Sequence, residues 1–517
     1  MTDRDPSIGA DGLTRRDRDL IRAVLARYPE VRRITLFGSR AMGTFGRGSD
    51  IDLALEGPDL DARTLTRIAT ELEDSDLPYK VDLLLRDDQL EPKLEAHIRR
   101  YGKPFGWRRS TWGEEISLEY GKSLRDYADV TSGFRVFGTN GPIGWTGKPM
   151  ADGPGVILGR KGAYRGVHFS PDPFFVIDTA YYVVPKTGLD IRWLYYAMIH
   201  YQLGQIDDGS PIPSTTRAAV YPREIVVPPL DEQCDIARVL GALDDKIEQN
   251  QRTAQVLERL ARAIFRAWFV DFEPVKAKAE GAATFPSMPQ PVFDALPTRF
   301  VDSPIGPVPE GWAVKAATDV AMVAIGKTPP RKEPQWFTND HSQMPWVSIR
   351  DMGVCGAFIR TTSEYLTHEA VERFNIRRVP DRSVLLSFKL TLGRVAIADG
   401  VITTNEAIAH FTPIFSDSIG AEYLYCYLIE FDHNKLGSTS SIATATNSKV
   451  VKGMPVLAPA LSVAKSFTDL VRPMFDGLCS LARESRKVAE MRDYLLPKLL
   501  SGEVRVEANQ THTAGMV

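Results

Sequence analysis

The sequence contains few of the features that would place the protein outside the cytoplasm. It has only four cysteines in 517 residues, and their spacing fits neither a disulfide framework nor a metal-ligand motif: Cys234, Cys355, Cys426 and Cys479. No apolar run approaches the ~20 residues that cross a bilayer, and the polar start lacks the apolar segment of a secretory signal. We therefore expect a cytoplasmic protein with reduced thiols, without a zinc site and without a membrane partner.

An excess of positive charge is also absent. The chain has 63 Lys and Arg residues against 66 Asp and Glu, which gives a net charge of −3. Because nucleic-acid-binding domains usually carry a basic footprint, this balance argues mildly against DNA binding. DNA binding would require basic groups concentrated on one face, or partner subunits that contact the phosphates. The length itself exceeds one hydrophobic core and predicts three or four domains.

The last four-fifths of the chain contains an internal repeat. The offset is about 230 residues, and short apolar runs punctuated by Gly and Pro predict two related modules of strands with some helices. The aligned segments are LYYAMI from Leu194 with LYCYLI from Leu424, SPIPSTTR from Ser210 with SSIATATN from Ser440, and, more weakly, GVILGRKGAYRG from Gly155 with SVLLSFKLTLGR from Ser383.

A long amphipathic helix is predicted after each module. Seam positions alternate in steps of three and four, which is the heptad rhythm of a coiled coil. Two helices buried in separate cores would also fit this pattern, but two copies in register favour packing against each other as a ruler of ~42 Å. The seam residues are Leu240, Leu243, Ile247, Asn250, Ala254, Leu257, Ala261, Ile264 and Trp268, and Val471, Met474, Leu478, Leu481, Ser485, Val488, Arg492, Leu495 and Leu499. Between Asp271 and Trp312, dense proline predicts an extended connection.

From Trp112 onward the sequence resembles the specificity (S) subunit of type I restriction–modification enzymes. The matching stretches are AIFRAWFVDFEPV from Ala263, GPVPEGW from Gly306, MPWVSIRDM from Met344, LLSFKLTLGRV from Leu385, TNEAI from Thr404 and RDYLLPKLLSGEVRV from Arg492. The resemblance implies two target-recognition domains that read a bipartite site in double-stranded DNA, joined by antiparallel helices. It further implies docking of two methyltransferase subunits and a nuclease/translocase subunit, with S-adenosylmethionine and ATP used by those partners and not by this chain.

Candidate DNA-contacting residues are basic, hydroxyl, amide and aromatic side chains of the two modules, and glycine-flanked loops such as GRKGAYRG from Gly159 support them as a group. Arg and Lys hold phosphates or reach guanine edges, and Asn pairs with adenine. Any one of them could instead be a solvated surface charge. The candidates are Lys122, Arg125, Arg160, Lys161, Tyr164, Ser214, Thr215 and Arg217 in the first module, and Lys327, Arg331, Trp346, Lys389, Arg394, Thr446, Asn447 and Lys449 in the second.

The first fifth of the chain carries a different motif. A strand from Arg33 ends in Gly38-Ser39, where the backbone can approach a triphosphate. Asp50 and Asp52 alternate on the next strand and so point to one face. With Asp82 on a third strand they form a carboxylate set that suits Mg²⁺.

This pattern resembles the minimal nucleotidyltransferase family. The resemblance implies that Gly38, Ser39 and Arg40 hold a nucleoside triphosphate, most simply ATP. Asp50, Asp52 and Asp82 would be catalytic metal ligands, and Asp82 would aid deprotonation of the acceptor. Relatives of this small domain add nucleotides to a partner protein, so a protein substrate is an expectation here.

We therefore predict a mixed α/β chain with the two long helices as an antiparallel coiled coil. The predicted parts are a nucleotidyltransferase-like domain (1–105), target-recognition domain 1 (106–229), spacer 1 (230–272), the Pro-rich connection (273–304), target-recognition domain 2 (305–460), spacer 2 (461–503) and a tail (504–517). Two hypotheses remain. The chain is a DNA-specificity subunit with an accessory front domain, or it is primarily a nucleotidyltransferase targeted by its DNA-binding region.

Overall fold

A computed structural model describes residues 11–46, 48–87, 90–125, 127–207, 209, 213–414, 419–433, 448–504 and 506. The chain forms two compact units, residues 1–243 with 491–517 and residues 244–490. Within the described ranges, no helix combines the length and the apolar character needed to cross a membrane.

The N-terminal domain (residues 11–105) is a four-stranded sheet covered by helices. Its strand order is β3-β2-β1-β4, with β1 antiparallel to β2 and β2 parallel to β3. The alternating strand IDLALE buries Ile51 and Leu53 completely, against Ile21 and Ile68 of the helices. The elements are α1 (Arg15–Leu25), β1 (Arg33–Phe37), α2 (Gly38–Met42), β2 (Ile51–Glu56), α3 (Ala62–Glu73), β3 (Val81–Leu85), α4 (Pro92–Tyr101) and β4 (Lys103–Pro104).

The first module is built on a sheet of order β10-β9-β12-β6, with a second sheet β11-β7-β8 and an antiparallel pair β5–β13. Helix α6 covers the main sheet and buries Trp193 and Leu194. The elements are β5 (Arg108–Thr111), α5 (Trp112–Glu115), β6 (Ile116–Tyr120), β7 (Phe134–Gly138), β8 (Gly141–Thr146), β9 (Gly155–Gly159), β10 (Val167–Ser170), β11 (Phe174–Val176), β12 (Ala180–Pro185), α6 (Ile191–His200), a 3-10 turn (Leu203–Gln205), α7 (Arg217–Val220) and β13 (Glu224–Val227).

A 40-residue helix, α8 (Leu230–Phe269), follows directly. The stretch after it is folded, so the prediction of an extended connection is wrong. It contains α9 (Glu273–Ala279), α10 (Gln290–Asp294), β14 (Phe300–Val301) and β15 (Val308–Pro309). Both short helices accept proline in their first turn, where no backbone hydrogen bond is lost. Val275 and Phe293 are buried in the same core cluster as Trp268 and Trp312.

The second module repeats the topology of the first. Its main sheet has the order β17-β25-β22-β23-β20, which matches β6-β12-β9-β10 with one strand added, and β16–β26 matches β5–β13. A second sheet has the order β18-β21-β19-β24. The elements are β16 (Ala313–Ala316), α11 (Ala317–Val320), β17 (Ala321–Ile325), a 3-10 turn (Pro334–Trp336), β18 (Phe337–Thr338), β19 (Met344–Val347), α12 (Ile349–Met352), β20 (Phe358–Ile359), β21 (Glu364–Leu366), α13 (His368–Arg373), β22 (Val384–Ser387), β23 (Val395–Ala398), β24 (Thr403–Thr404), β25 (Ile408–Pro413), α14 (Ala421–Glu430), α15 (Ser448–Lys452) and β26 (Pro455–Ala458).

The last helix is α16 (Leu461–Ser501), with 41 residues. It packs antiparallel to α8. Phe265 contacts Phe467 with ring centroids 5.6 Å apart, and Asn250, earlier in α8, bonds Glu484, later in α16. Every predicted seam residue of both helices is buried or half-buried. The coiled-coil prediction is therefore confirmed.

The N-terminal domain is fixed to the beginning of α8 by polar contacts within the first unit. Arg22, which is 9 % exposed, donates to the Phe105 carbonyl at 3.0 Å and forms an ion pair with Glu232 of α8. Trp107 Nε1 donates to the other oxygen of the Glu232 carboxylate at 2.6 Å. One carboxylate of the spacer helix thus binds both the domain and the segment that follows it.

Candidate active site and candidate nucleic-acid interface

Gly38 and Asp52 lie against each other at one end of the N-terminal sheet. Phe37, the last residue of β1, pairs in register with Asp52 of β2, and Gly38 follows it with φ +70°. A Cβ atom on Gly38 would lie 2.1 Å from Asp52 Oδ2. Glycine is needed here for two reasons, because the left-handed backbone disfavours other residues and because the carboxylate leaves no room for a side chain.

The predicted carboxylates are gathered at the same end of the sheet. Asp52 and Asp82 are register partners on the parallel strands β2 and β3, and Asp50 precedes β2 by one residue. Burial raises the pKa of the Asp52 carboxyl, and the charges of Asp82 and then Asp50 raise this pKa further. The donor chemistry suits a hard divalent cation, which would relieve this repulsion.

These side chains do not form a complete metal cage as they stand. Lys80, which directly precedes β3, has its Nζ 2.6 Å from Asp82 Oδ1. The Asp82 carboxylate is therefore already paired with a cation. Within the ranges described above, no three Asp, Glu, His or Cys side chains are arranged as a metal-binding group. The triad of metal ligands therefore stays a prediction.

Arg40 has a different position from the one expected of a triphosphate ligand. It is 1 % exposed, and its guanidinium donates to the carbonyls of Ser49 at 2.7 Å, Asp50 at 3.1 Å and Asp11 at 3.0 Å. The guanidinium carbon also lies 4.3 Å from the centroid of the Tyr79 ring. A nucleotide cannot reach this buried group. We correct the expectation: Arg40 holds the backbone carbonyls of Ser49 and Asp50 and so positions the segment that carries the Asp50 carboxylate.

The sixteen DNA-contact candidates divide by exposure. Lys122, Arg125, Lys161, Tyr164, Lys327, Arg331 and Lys449 are exposed, and Arg160, Ser214, Arg217, Lys389 and Arg394 are half-buried. Thr446 and Asn447 lie outside the described residues. Exposure is what a DNA contact requires, so the first twelve remain candidates.

Two candidates are corrected because the fold buries them. Thr215 is 0 % exposed, and its hydroxyl is bonded to the Ile206 carbonyl at 3.1 Å. Trp346 is 2 % exposed within a cluster that includes Trp336, and its Nε1 donates to the Lys327 carbonyl at 3.3 Å. Both side chains are enclosed within their own modules, so neither is available to DNA in this conformation.

One exposed aromatic residue of the first module, Tyr120, was not predicted from the sequence. The Tyr120 side chain is 49 % exposed, and the guanidinium carbons of Arg217 and Arg160 lie 4.5 and 4.9 Å from the centroid of its ring. Arg217 is anchored by donating to the Leu118 carbonyl at 2.7 Å. The available signal was an aromatic residue at the end of a strand, two positions before Lys122. The second module holds Arg331 4.1 Å from the Phe337 ring, paired to Glu364 by two bonds.

Comparisons with known proteins match both parts of the chain. Residues 19–106 match the family "Polymerase beta, Nucleotidyltransferase", and residues 309–462 match "Type I restriction modification DNA specificity domain". The chain is 28% identical, over 333 residues, to the Type I restriction enzyme HindI specificity subunit of Haemophilus influenzae, covering 56% of this chain and 71% of that protein. It is 27% identical to the MjaIX specificity subunit of Methanocaldococcus jannaschii, over 63% of this chain and 72% of that protein.

Among solved structures, a type I restriction–modification S subunit from M. genitalium aligns with 78% of this chain and 97% of its own length. The two are 15% identical, with a TM-score of 0.45.

Proposed function

We infer that this chain is a DNA specificity subunit of a type I restriction–modification system with a polymerase β-type nucleotidyltransferase domain fused to its front. The observation that carries the inference is the repeated module. The two main sheets share a four-strand order, and each module is followed by a spacer helix, in a chain whose relatives are specificity subunits. Such a repeat lets one asymmetric chain present two different reading surfaces.

We propose that each module reads one half of a bipartite site in double-stranded DNA. The cationic contacts would come from local groups such as Lys122, Lys161 and Lys327, which are exposed although the whole chain is slightly acidic. Local basic residues can supply phosphate contacts without a basic total charge. The aromatic–arginine group around Tyr120 adds a preorganised donor surface in the first module.

The spacer helices are proposed as the docking platform for two methyltransferase subunits, with a nuclease/translocase subunit completing the complex. The seam side is covered by the partner helix, yet apolar side chains remain exposed on the other faces. Val256 and Leu260 of α8 are 54% and 47% exposed, and Met491 and Tyr494 of α16 are 54% and 65% exposed. Their spacing of four and three residues places each pair on one helix face. S-adenosylmethionine and ATP would be used by these partners.

The N-terminal domain is proposed to transfer a nucleotide from a nucleoside triphosphate such as ATP. The acceptor oxygen would bond to the α-phosphate, and the bond to the β-phosphate would break with release of pyrophosphate. Gly38 and Ser39 would face the triphosphate, because the glycine lets the chain pass directly beside the Asp52 carboxylate. Asp50, Asp52 and Asp82 would hold Mg²⁺, which when bound supplies positive charge to the reacting phosphate. Asp82 would accept the proton of the acceptor group, and release of its pairing with Lys80 would free it for that role. The acceptor is proposed to be a partner protein.

The domain is proposed as an accessory or regulatory part and not as the principal activity. Its support is the junction at Glu232, where Arg22 and Trp107 both bind the first turn of the spacer helix. A domain fixed to the docking platform is held close to the subunits that the platform binds. The alternative, a nucleotidyltransferase that is only targeted by the DNA-binding region, predicts labelled product without any dependence on the complex.

Gel shift with the matching methyltransferase subunit tests the main inference. The complex should shift a duplex carrying the bipartite site and leave a duplex with either half scrambled unshifted at the same salt concentration. Equal shifts of all duplexes would overturn the inference. For the front domain, incubation with Mg²⁺ and ATP labelled at the α-phosphate should label a protein, and the Asp50→Ala/Asp52→Ala variant should not. Equal labelling would remove the nucleotidyltransferase proposal.

A further inference from the structure

Two hairpin loops occupy the same place in the two modules. The loop between β9 and β10 spans residues 160–166, and the loop between β22 and β23 spans residues 388–394, so each has seven residues. Lysine stands second in both, as Lys161 and Lys389. The third position has a left-handed backbone in both, with φ +108° at Gly162 and φ +63° at Leu390. The same backbone feature is therefore filled by glycine in one module and by leucine in the other.

Leucine at this position is strained. The Thr391 amide donates to the Lys389 carbonyl at 2.7 Å, which makes Leu390 the centre of a three-residue turn with positive φ, a rare and unfavourable conformation for a side-chain-bearing residue. The loop is held in this shape by Ser387, whose hydroxyl accepts from the Arg394 amide at 3.0 Å and donates to the Thr391 carbonyl at 2.7 Å. Strain of this kind persists where the surroundings impose it, and it concentrates at functional sites.

Burial does not offset this strain. The Leu390 side chain is 88% exposed, the most exposed of the large apolar residues in the described part of the chain. The Arg394 guanidinium packs against Gly353, and its Nη1 donates to the Ile349 carbonyl at 2.5 Å. The residue after Gly353 is Val354, whose side chain is 83% exposed. Arg394 thus ties the Leu390 loop to a neighbouring turn that also ends in an exposed aliphatic side chain.

We propose that Leu390 is the apolar base-contacting tip of the second module. In the DNA complex it enters a groove of one half-site and buries its side chain against the bases, while Lys389 beside it holds the adjacent phosphate. Apolar side chains contact thymine methyl groups or wedge between base steps in this way. The flanking Lys389 and Arg394 favour DNA over a protein surface as the occupant. This proposal rests on the DNA-specificity function proposed above and names a specificity-determining residue for it.

The test compares Leu390→Gly with the wild type in the full complex with its methyltransferase subunits. Glycine fills the equivalent position of the first module, so the substitution keeps the loop backbone and releases its strain. We expect an unchanged or higher thermal midpoint together with about tenfold or more weaker binding to the bipartite duplex, because burial of one leucine is lost. This difference should vanish on a duplex in which the half-site read by the second module is scrambled.

Met322→Ala is the matched control, since Met322 is a 58% exposed apolar residue elsewhere in the second module, and its loss should leave binding unchanged. Three results would overturn the proposal: wild-type affinity of Leu390→Gly, an equal loss on specific and scrambled duplexes, or a loss of bound methyltransferase subunit. A lower thermal midpoint would assign Leu390 a structural role instead. If the wild-type complex itself selects no bipartite site, it is the DNA-specificity function that fails.

Discussion

Asn250 of α8 donates a hydrogen bond to Glu484 of α16, with Nδ2 and Oε2 2.8 Å apart, and the Asn250 side chain is only 2 % exposed. It is a polar interruption in an apolar seam. Lys246 Nζ lies 3.2 Å from the same carboxylate, and the bonds from Lys246 and Asn250 lower the pKa of Glu484. A buried polar residue satisfied by one partner fixes the register of two helices, because any slip would leave it unpaired.

We predict that Asn250→Ala lowers the thermal midpoint by about 2 °C or more, since a buried hydrogen bond to a charged group is lost. Lys246→Ala is the control. Its ion pair with Glu484 is open to solvent, with the two side chains 43% and 45% exposed, and should contribute much less. Thermal unfolding followed by circular dichroism measures both. Equal effects of the two substitutions would show that the buried hydrogen bond has no special role in pairing the helices.

The ruler hypothesis makes a prediction about DNA. Inserting one heptad into each spacer helix, after Asn250 in α8 and opposite it in α16, keeps the seam in phase and lengthens the pair by about 10 Å. The recognised motif should then keep both half-sites but gain about three base pairs between them. Sequencing of modified bases in cells that carry the variant measures the motif. A methylated motif with an unchanged spacer would rule out the helices as the ruler.

Two glycines of the N-terminal domain form a matched pair. Gly38 and Gly43 have nearly equal φ values, +70° and +76°, yet a Cβ on Gly38 would meet Asp52 at 2.1 Å whereas a Cβ on Gly43 would meet nothing within 4 Å. Gly38→Ala should abolish transfer of label from ATP. Gly43→Ala should bear only the conformational strain of about 1 kcal/mol and keep its activity. If both variants retain activity, the Gly38 backbone does not form the nucleotide site.

Asp52 gives a prediction about pH. Its pKa is raised in the fold by burial and by Asp82 and Asp50, so the stability it contributes is present below the unfolded pKa and is lost as pH rises through the folded pKa. Asp52→Asn should therefore raise the thermal midpoint of the domain at pH 7, and the gain should shrink toward pH 4. Mg²⁺ should stabilise the wild type and not this variant.

Asp61→Asn is the control, because the pKa of Asp61 is shifted in the opposite direction from that of Asp52. Hydrogen bonds from Thr64 lower the pKa of Asp61, so its contribution is present above the unfolded pKa and is lost as pH falls through the folded one. This substitution should lower the midpoint at neutral pH. A midpoint that rises for both variants, or for neither, would contradict the assigned origin of the Asp52 shift.

Periodic features were predictable from the sequence because their spacing is itself the physical signal. The seam residues from Leu240 to Trp268 are buried or half-buried in the structure, and the Gly-Ser and Asp-x-Asp segments meet at one sheet end. Side-chain environment was not predictable. Arg40 and Trp346 look like surface contact residues in the sequence, but tertiary packing buries both. Likewise, the backbone conformation of Leu390 depends on the hydrogen bonds of Ser387, which no local pattern reveals.

We infer that this chain selects the DNA sequence modified by a type I complex. Sequencing of modified bases in the host, with and without the gene, tests this most directly. We predict that one methylated bipartite motif disappears on deletion and returns with the wild-type chain. It should also return with the Asp50→Ala/Asp52→Ala variant, because we propose that the front domain is accessory to DNA recognition. An identical set of methylated motifs with and without the gene would contradict the account.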